Sequence, residues 1–285
     1  MSHHSIAIIC MLISMLSYQV SASLAKQLFQ ALDPLSVTIL RLFFAFILVF
    51  CIFRSWRIIA KLKTLVWKDL MLYSLSLGLM NILFYLALER IPLGIAVGIE
   101  FTGPLAVALL AVQQKRDYIW VILAILGIIG LIPFQQLEHF SLLGAIFALG
   151  AGVCWGCYIH FGQRIVQQNI GMHGLTIGIA ISALYLLPFG LWQNPSALLQ
   201  FEYWHIAFAI ALLATAIPYA LDLYALKFLN KMVYGTLTSL SPALAALTGF
   251  ILLKENLLLW QILALGCIIL ASIGVTLFTS KKNNV

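Results

Sequence analysis

Charged side chains are scarce in this chain, and their scarcity excludes most soluble folds. Only 9% of the 285 residues are charged and 63% are hydrophobic, whereas ordinary soluble domains are about a quarter charged. A soluble fold of this length has too little interior for so many apolar side chains. The composition therefore predicts an all-α integral membrane protein, because a helix needs about 20 apolar residues to cross the hydrocarbon core of a bilayer.

Motifs for catalysis and metal binding are also missing. The sequence contains no HExxH pair, Walker A loop or nucleophile elbow, so we expect no enzyme activity, no ATP hydrolysis, no cofactor and no metal ion. The five cysteines lack disulfide-framework spacing, and Cys154 and Cys157 are interpreted as small helix-packing residues. A net charge of +7 raises nucleic acid as a partner. Since the charges lie in short loops, we expect the lipid bilayer to be the partner instead.

Apolar runs divide the chain into ten predicted spans with short connections. The first five are Ser5–Leu24, Pro34–Phe53, Asp69–Leu88, Leu93–Val112 and Tyr118–Phe134. The second five are Ser141–Phe161, His173–Trp192, Tyr203–Ala225, Val233–Leu253 and Leu257–Phe278.

Basic residues predict the orientation of these spans, because cytoplasmic loops carry an excess of Lys and Arg. Most of the 16 basic residues fall on one side, in the loops after even-numbered spans. The loop after the second span alone holds Arg54, Arg57, Lys61, Lys63 and Lys68. Both termini are therefore predicted to be cytoplasmic.

The two halves of the sequence resemble each other at an offset of 138 positions. Pro104 and Pro242 are that far apart, and each is preceded sixteen residues earlier by a leucine, Leu88 or Leu226. Chance similarity between Leu- and Ala-rich helices is the alternative. Five spans per repeat is an odd number, so residues 1–137 and 138–285 are predicted to form two inverted five-helix repeats around a central cavity, as in many secondary transporters.

The fourth span carries the most specific sequence signal. Its residues IPLGIAVGIEFTGPLAVALL, from Ile91 to Leu110, together with ALGAGVCW, AIPY and SPALAA further on, resemble the EamA-domain family of the drug/metabolite transporter superfamily. Within that family the chain is most similar to the threonine and homoserine exporters of the RhtA type. The resemblance covers nearly the whole chain.

This resemblance implies ten helices, a central cavity and export of an amino acid, with protons as the coupling ion. It also matches Arg41 to an arginine common in the second helix of EamA domains. Two positions depart from the exporters: Ser241 stands where they have an acidic residue, and Asp222 replaces a Glu. These departures leave the substrate open.

Two charges lie well inside predicted spans, where ionisable groups usually face a cavity. Glu100 and Arg41 are each about seven residues, or about 10 Å, from the start of their spans. One interpretation is that Glu100 binds a substrate ammonium or a proton while Arg41 binds a carboxylate through its planar fork. The alternative is a structural Arg41–Glu100 pair.

Two prolines predict helix breaks near the middle of the membrane. Pro104 and Pro242 each remove a backbone donor, and such breaks surround the substrate in many transporters. A packing kink is the alternative. Thr238 and Ser241, beside the second proline, are further candidates for substrate binding.

Matched positions of the two repeats add four candidate cavity residues. Asn81 corresponds to Tyr219 at the same offset, and Tyr18 corresponds to Trp155 at an offset one shorter. Packing within the bundle is the alternative for the aromatic residues. Asp222, near the cytoplasmic end of the eighth span, is interpreted as an interfacial residue.

The sequence therefore predicts a multi-pass secondary transporter of a bacterial cytoplasmic membrane, moving a small polar molecule such as an amino acid. Alternatives on the same scaffold are transport of S-adenosylmethionine, a nucleoside or a hydrophobic drug. A membrane enzyme is disfavoured because it would need a catalytic constellation beyond one acid and one arginine. A receptor is disfavoured because the short loops cannot hold a soluble sensing domain.

Overall fold

The computed structural model of the chain describes residues 3–57, 67–110, 118–131, 140–167, 171–229, 234 and 237–282. All regular structure within these ranges is helical. The α-helices are α1 (His3–Leu28), α2 (Pro34–Ile52), α3 (Trp67–Arg90), α4 (Leu93–Glu100), α5 (Thr102–Leu110), α6 (Tyr118–Gly130), α7 (Leu142–Gln167), α8 (Gly171–Gln193), α9 (Pro195–Leu198), α10 (Trp204–Ala211), α11 (Ile217–Phe228), α12 (Ser241–Leu253) and α13 (Leu259–Lys282). A π-helical segment, Leu212–Ala216, joins α10 to α11.

Five helical segments are long and apolar enough to cross a membrane: Ser5–Leu28, Pro34–Ile52, Trp67–Arg90, Leu142–Ile165 and His173–Gln193. They coincide with the predicted first, second, third, sixth and seventh spans. The fourth, eighth, ninth and tenth predicted spans contain shorter apolar helices. Because Val112, Phe134 and Val233, at the predicted ends of three spans, lie outside the described residues, the count of ten remains a prediction.

The start of α2 illustrates how local sequence sets these helices. Asp33 precedes the helix, and its Oδ1 accepts a hydrogen bond of 3.0 Å from the backbone N–H of Ser36. Pro34 occupies the first turn, where its missing N–H costs nothing and its fixed φ suits the helix. The two residues therefore end the α1–α2 connection and begin the second span.

Polar and apolar side chains are distributed as expected in lipid. Large apolar side chains such as Ile119, Leu126, Leu263 and Leu270 are exposed on the outward faces of α6 and α13. Buried polar residues instead lie between helices, and they include Ser14, Ser21, Ser74, Asn81, Glu100 and Ser182. A bilayer accommodates this arrangement, in which the described surface is apolar and polar groups face inwards.

Helix packing surrounds a common centre. α1 packs against α11, α7 packs against α3, and α2 packs against both α8 and α10. α4 packs against α12, while α6 and α13 form a separate contact. Two broken segments, α4–α5 and the turn leading into α12, therefore lie between the long helices.

Candidate functional site

A cavity of 410 Å³ lies among these helices. Side chains of α1, α2, α3, α4, α7, α8, the π-helical segment, α11 and the start of α12 line it. Its polar lining consists of Ser14, Tyr18, Gln19, Ser21, Arg41, Asn81, Tyr85, Glu100, Trp155, Tyr158, Thr215, Asp222, Tyr234, Thr238 and Ser241. Both halves of the sequence thus contribute hydrogen-bonding groups to one site.

The fourth predicted span is broken beside its acidic residue. α4 ends at Glu100, Phe101 adopts a turn, and α5 begins at Thr102. Pro104 accounts for the break, because it has no N–H for the carbonyl of Glu100 four residues earlier and its ring crowds that carbonyl. The proline therefore ends α4 at the point where the Glu100 side chain enters the cavity.

Close contact with α7 fixes the position of this break. A Cβ on Gly103 would lie 1.8 Å from the backbone oxygen of Gly152, and a Cβ on Gly152 would lie 2.7 Å from the backbone oxygen of Glu100. Both glycines are needed at this crossing, since any larger side chain meets backbone that cannot move aside. Such small residues let helices approach closely in lipid, and here they hold Glu100 in place.

The carboxylate of Glu100 is buried at the cavity wall. The residue is 8% exposed, and within the described ranges no hydrogen bond or ion pair to its carboxylate is formed. The positive charge of Arg41 acts electrostatically on the Glu100 carboxylate. The described residues thus contain no direct Arg41–Glu100 ion pair, which was the structural alternative for these two charges.

Arg41 is oriented by an aromatic neighbour. Its Nη1 donates a hydrogen bond of 3.2 Å to the Tyr85 hydroxyl, and its guanidinium carbon lies 5.3 Å from the centre of the Tyr85 ring. Its Nε is buried and makes no hydrogen bond to the described residues. A guanidinium carries five N–H donors, so Arg41 retains donors for an anion.

The second proline also lies at a break. Ser239 and Leu240 form a turn, α12 begins at Ser241, and Pro242 occupies its first turn. Thr238 precedes the turn, and its hydroxyl donates to the Tyr234 carbonyl at 2.8 Å. In the structure a turn thus precedes each proline by two to three residues.

Most of the predicted binding side chains line this cavity, namely Tyr18, Arg41, Asn81, Glu100, Trp155, Thr238 and Ser241. Tyr219 belongs to α11, but its side chain lies outside the described part of the structure. Asn81 donates one amide hydrogen to the Leu77 carbonyl at 2.7 Å, and Trp155 contacts Phe101 edge-on at 5.9 Å between ring centres. The described residues contain no cluster of His, Cys, Asp or Glu that suits a metal ion.

Asp222 corrects the sequence interpretation. We expected an interfacial residue near the cytoplasmic end of the eighth span, but its side chain lines the cavity. It lies near Ser14 and acts electrostatically on Tyr18 and Tyr234. Distance from the end of a span was a poor guide, because the cavity lining extends to Met11 on α1 and to Asp222 on α11. Helical spacing was the available sequence signal for Asp222. It is three residues after Tyr219, a predicted cavity residue, and residues three apart share a face of a helix.

The sequence-predicted candidates also did not include the serine hydroxyl groups of α1. Ser17 and Ser21 donate to the carbonyls of Leu213 and Ile210 at 2.7 and 3.0 Å. Pro218 cannot donate to the carbonyl four residues before it, and the helix widens there into the π-helical segment, which is often found at functional sites. The spacing of Ser14, Ser17 and Ser21, one face of a helix, was the signal.

These features define a class: an α-helical membrane protein with two broken helices beside a cavity that contains buried charged and polar groups. The profile of the EamA-like transporter family matches residues 5–133 and 142–277. The chain belongs to this family.

Similar curated proteins are named as transporters. The threonine/homoserine exporter RhtA of Escherichia coli strain K12 is 44% identical over 280 residues, covering 98% of this chain and 94% of the exporter. The exporter of the same name from Salmonella typhimurium strain LT2 is 46% identical over the same coverage. An uncharacterized transporter of Archaeoglobus fulgidus is 26% identical over 251 residues, covering 85% of this chain and 86% of its own.

A solved structure shares the fold. One crystal structure matches with a TM-score of 0.65 and 15% sequence identity, covering 95% of this chain and 96% of that chain. At this identity the match concerns the arrangement of helices alone.

Proposed function

We propose that this chain is a secondary active exporter of a small hydroxylated amino acid, such as threonine or homoserine, in a bacterial cytoplasmic membrane. Near full-length identity of 44–46% to proteins named threonine/homoserine exporters supports the substrate class. The observation that carries the proposal is the cavity, which is lined by both a carboxylate and a guanidinium that form no ion pair with each other.

Such a cavity complements an amino-acid zwitterion. The α-ammonium and α-carboxylate are attached to one carbon, so their protein partners must face the same small cavity, as Glu100 and Arg41 do. Arg41, oriented by Tyr85, binds the carboxylate through charge-assisted hydrogen bonds, and Glu100 binds the ammonium. Asn81, Thr238 and Ser241 offer neutral partners for a side-chain hydroxyl.

Proton coupling is part of the proposal. Zwitterionic substrate leaves the net charge of the cavity unchanged, so a gradient-driven cycle needs a further group that gains and loses a proton. Glu100 and Asp222 are the acids lining the cavity, and acids in membrane spans commonly serve as proton relays. Exchange of a proton for substrate at one of these acids gives an exporter.

Matched helix packing supports the two-repeat architecture of residues 1–137 and 138–285. If the halves are exchanged, the contact of α1 with α11 becomes the contact of α7 with α3, and both are present. The family profile also matches two separate stretches, 5–133 and 142–277. Inverted repeats rocking about a midplane site give alternating access.

Counterflow in proteoliposomes tests the substrate class. Vesicles loaded with unlabelled threonine should accumulate labelled threonine and homoserine, but not labelled valine, nucleosides or S-adenosylmethionine. Accumulation of a nucleoside or S-adenosylmethionine in place of the amino acids contradicts the proposal. An imposed pH gradient that leaves the initial rate of threonine flux unchanged contradicts proton coupling.

Reporter fusions test the orientation. Fusions of a reporter active only in the cytoplasm to each terminus should both be active, because the Lys and Arg asymmetry places both ends there. A periplasmic signal from either end overturns the proposed count of spans.

A further inference from the structure

A partly buried ion pair lies past one end of the cavity. Lys26 at the end of α1 lies 2.7 Å, Nζ to Oε1, from Glu255 in the α12–α13 connection. Their side chains are 22% and 14% exposed. Lys26 also donates to the Ile91 carbonyl at 2.7 Å, and the second oxygen of Glu255 accepts the Leu93 backbone N–H at 2.7 Å. Three segments distant in sequence thus meet at one pair of charges.

The backbone before Glu255 is shaped for this contact. Lys254 has a φ of 55°, a left-handed conformation that is unfavourable for a residue with a Cβ. The Glu255 N–H bonds back to the Gly249 carbonyl at 3.1 Å. A Cβ on Gly249 would lie 2.7 Å from the Glu255 carboxylate, so the carboxylate crosses the face of α12 that only a glycine leaves open.

The pair lies directly beyond the cavity. On α1 the lining ends at Ala22, and on α4 it begins at Val97. Lys26 is four residues beyond Ala22, and Leu93 is four residues before Val97, so both contacts lie one helical turn, about 6 Å, past the lining. In the opposite direction the cavity continues to Asp222 on α11 and Leu175 near the start of α8.

The Lys26–Glu255 ion pair stabilises the paired state, yet the two charges can separate into water. Removing one partner of a buried ion pair leaves the other charge without compensation, which is strongly destabilising for the paired state. Separating both partners into water rehydrates both charges, so the open state is accessible. Glu255 also caps the first turn of α4, where the helix dipole favours a negative charge. α4 runs from Leu93, which contacts Glu255, to Glu100, so one short helix joins the ion pair to the candidate site.

We propose that Lys26 and Glu255 form a latch that holds this end of the cavity closed and must separate each time the cavity opens there. The Lys and Arg distribution assigns this end to the outer face. As part of a transport cycle the latch depends on the proposed function, but the closure itself can be measured without any substrate.

Cysteine labelling tests the latch. In a background with the native cysteines replaced, Ala22→Cys places a thiol at the closed end of the cavity. A membrane-impermeant maleimide is then added to intact cells and, separately, to inside-out vesicles. Glu255→Gln removes the charge yet keeps an acceptor for the Leu93 N–H, and Lys26→Met removes the charge yet keeps the stem.

Each of these two substitutions should raise the labelling rate from the outer side about tenfold or more, because the closed state loses its charge pair. The double variant should label no faster than the quicker single variant, since the two residues act as one unit. Glu89→Gln is the matched control: it removes the carboxylate of the exposed Glu89–Arg90 pair at the end of α3 and should leave labelling unchanged.

Unchanged labelling in both single variants, with a monodisperse protein by size-exclusion chromatography, overturns the latch. Equal acceleration by Glu89→Gln also overturns it, because a general loosening would then be the cause. If one single variant does not fold, the other and the conservative variant Lys26→Arg decide: Lys26→Arg keeps the charge and a donor for the Ile91 carbonyl, so it should label more slowly than the surviving single variant. Because labelling needs no substrate, a wrong substrate class leaves this result intact.

Discussion

The two halves of the chain place different chemistry at matched positions of one cavity. Glu100 and Thr238 are 138 positions apart and both line it, as do Arg41 and Ile179. The first half provides a charge of each sign where the second provides a hydroxyl and an aliphatic side chain. Positions 138 apart thus lie on the same cavity, and their side chains differ in charge and polarity.

At a second pair of matched positions, the charged side chain comes from the second half and the uncharged one from the first. Phe84 and Asp222 are also 138 positions apart and both line the cavity. Here the second half carries the acid and the first half an aromatic ring. Each half thus contributes one acid to the cavity, Glu100 or Asp222, and under the proposed function one of them can bind substrate while the other carries a proton.

The largest effect is expected from Glu100→Gln. This change keeps the shape of the side chain and removes its charge, so loss of the ammonium partner should lower apparent affinity about a hundredfold, as for one partner of a buried charge pair. Thr238→Val at the matched position of the other repeat should cost far less, because only a neutral hydroxyl is lost. Counterflow at several substrate concentrations measures both.

The same variant separates the two roles of Glu100. If the residue carries the proton instead, gradient-driven flux should fall while substrate exchange survives. A Glu100→Gln protein with the affinity, flux and pH dependence of the native chain removes Glu100 from the site.

Gly103→Ala should give the next largest effect, on stability. The new methyl group would meet the Gly152 carbonyl at the crossing of α5 and α7, and such overpacking should cost about 2 kcal/mol or more. Gly266→Ala is the control, because a Cβ there has no neighbour within 4 Å. Thermal unfolding in detergent should show a lower midpoint for Gly103→Ala alone. Equal midpoints for the two variants contradict a tight crossing.

Sequence patterns predicted the helical class, and local residue chemistry marked several positions where the structure has a turn or a cavity-lining side chain. Pro104 and Pro242 indicate breaks because the chemistry of proline is local. Glu100 and Arg41 stand out because a charge in an apolar run is costly unless it faces a polar cavity. Each of these signals depends on one residue and its nearest neighbours, which a sequence contains in full.

Features that depend on contacts between distant segments were not predictable. Asp222 was misplaced because only the fold shows how far the cavity extends along α11. The Lys26–Glu255 pair joins residues 229 positions apart, and no local pattern marks it. Tyr85 is likewise one aromatic residue among many in the sequence, and only the structure shows that its hydroxyl accepts a hydrogen bond from Arg41.

Arg41→Lys should have a moderate effect. Lysine keeps the positive charge but loses the planar fork and the contact with the Tyr85 ring, so affinity for a carboxylate should fall about tenfold. Tyr85→Phe is the matched control, because it keeps the ring and removes one hydrogen bond to Arg41. It should weaken binding less than Arg41→Lys. If Arg41→Lys binds substrate as the native protein does, a bidentate contact at this arginine is excluded.

The smallest effect concerns a difference between two equivalent helix contacts. α7 contacts α3 and the α4–α5 break through small residues such as Gly152. The matched helix α1 has Ser14 at the position 138 residues before Gly152, and serine hydroxyls bond α1 to the α10–α11 segment.

Ser17→Ala removes the bond to the Leu213 carbonyl and should cost about 1 kcal/mol, the net value of one hydrogen bond. Ser23→Ala on the same helix is the control, because its hydroxyl bonds only to Gln19 of α1 itself, and it should be close to neutral. A lower thermal midpoint in detergent for Ser17→Ala but not Ser23→Ala shows that the hydroxyl tie stabilises this contact; equal midpoints mean that shape alone holds both pairs of helices together.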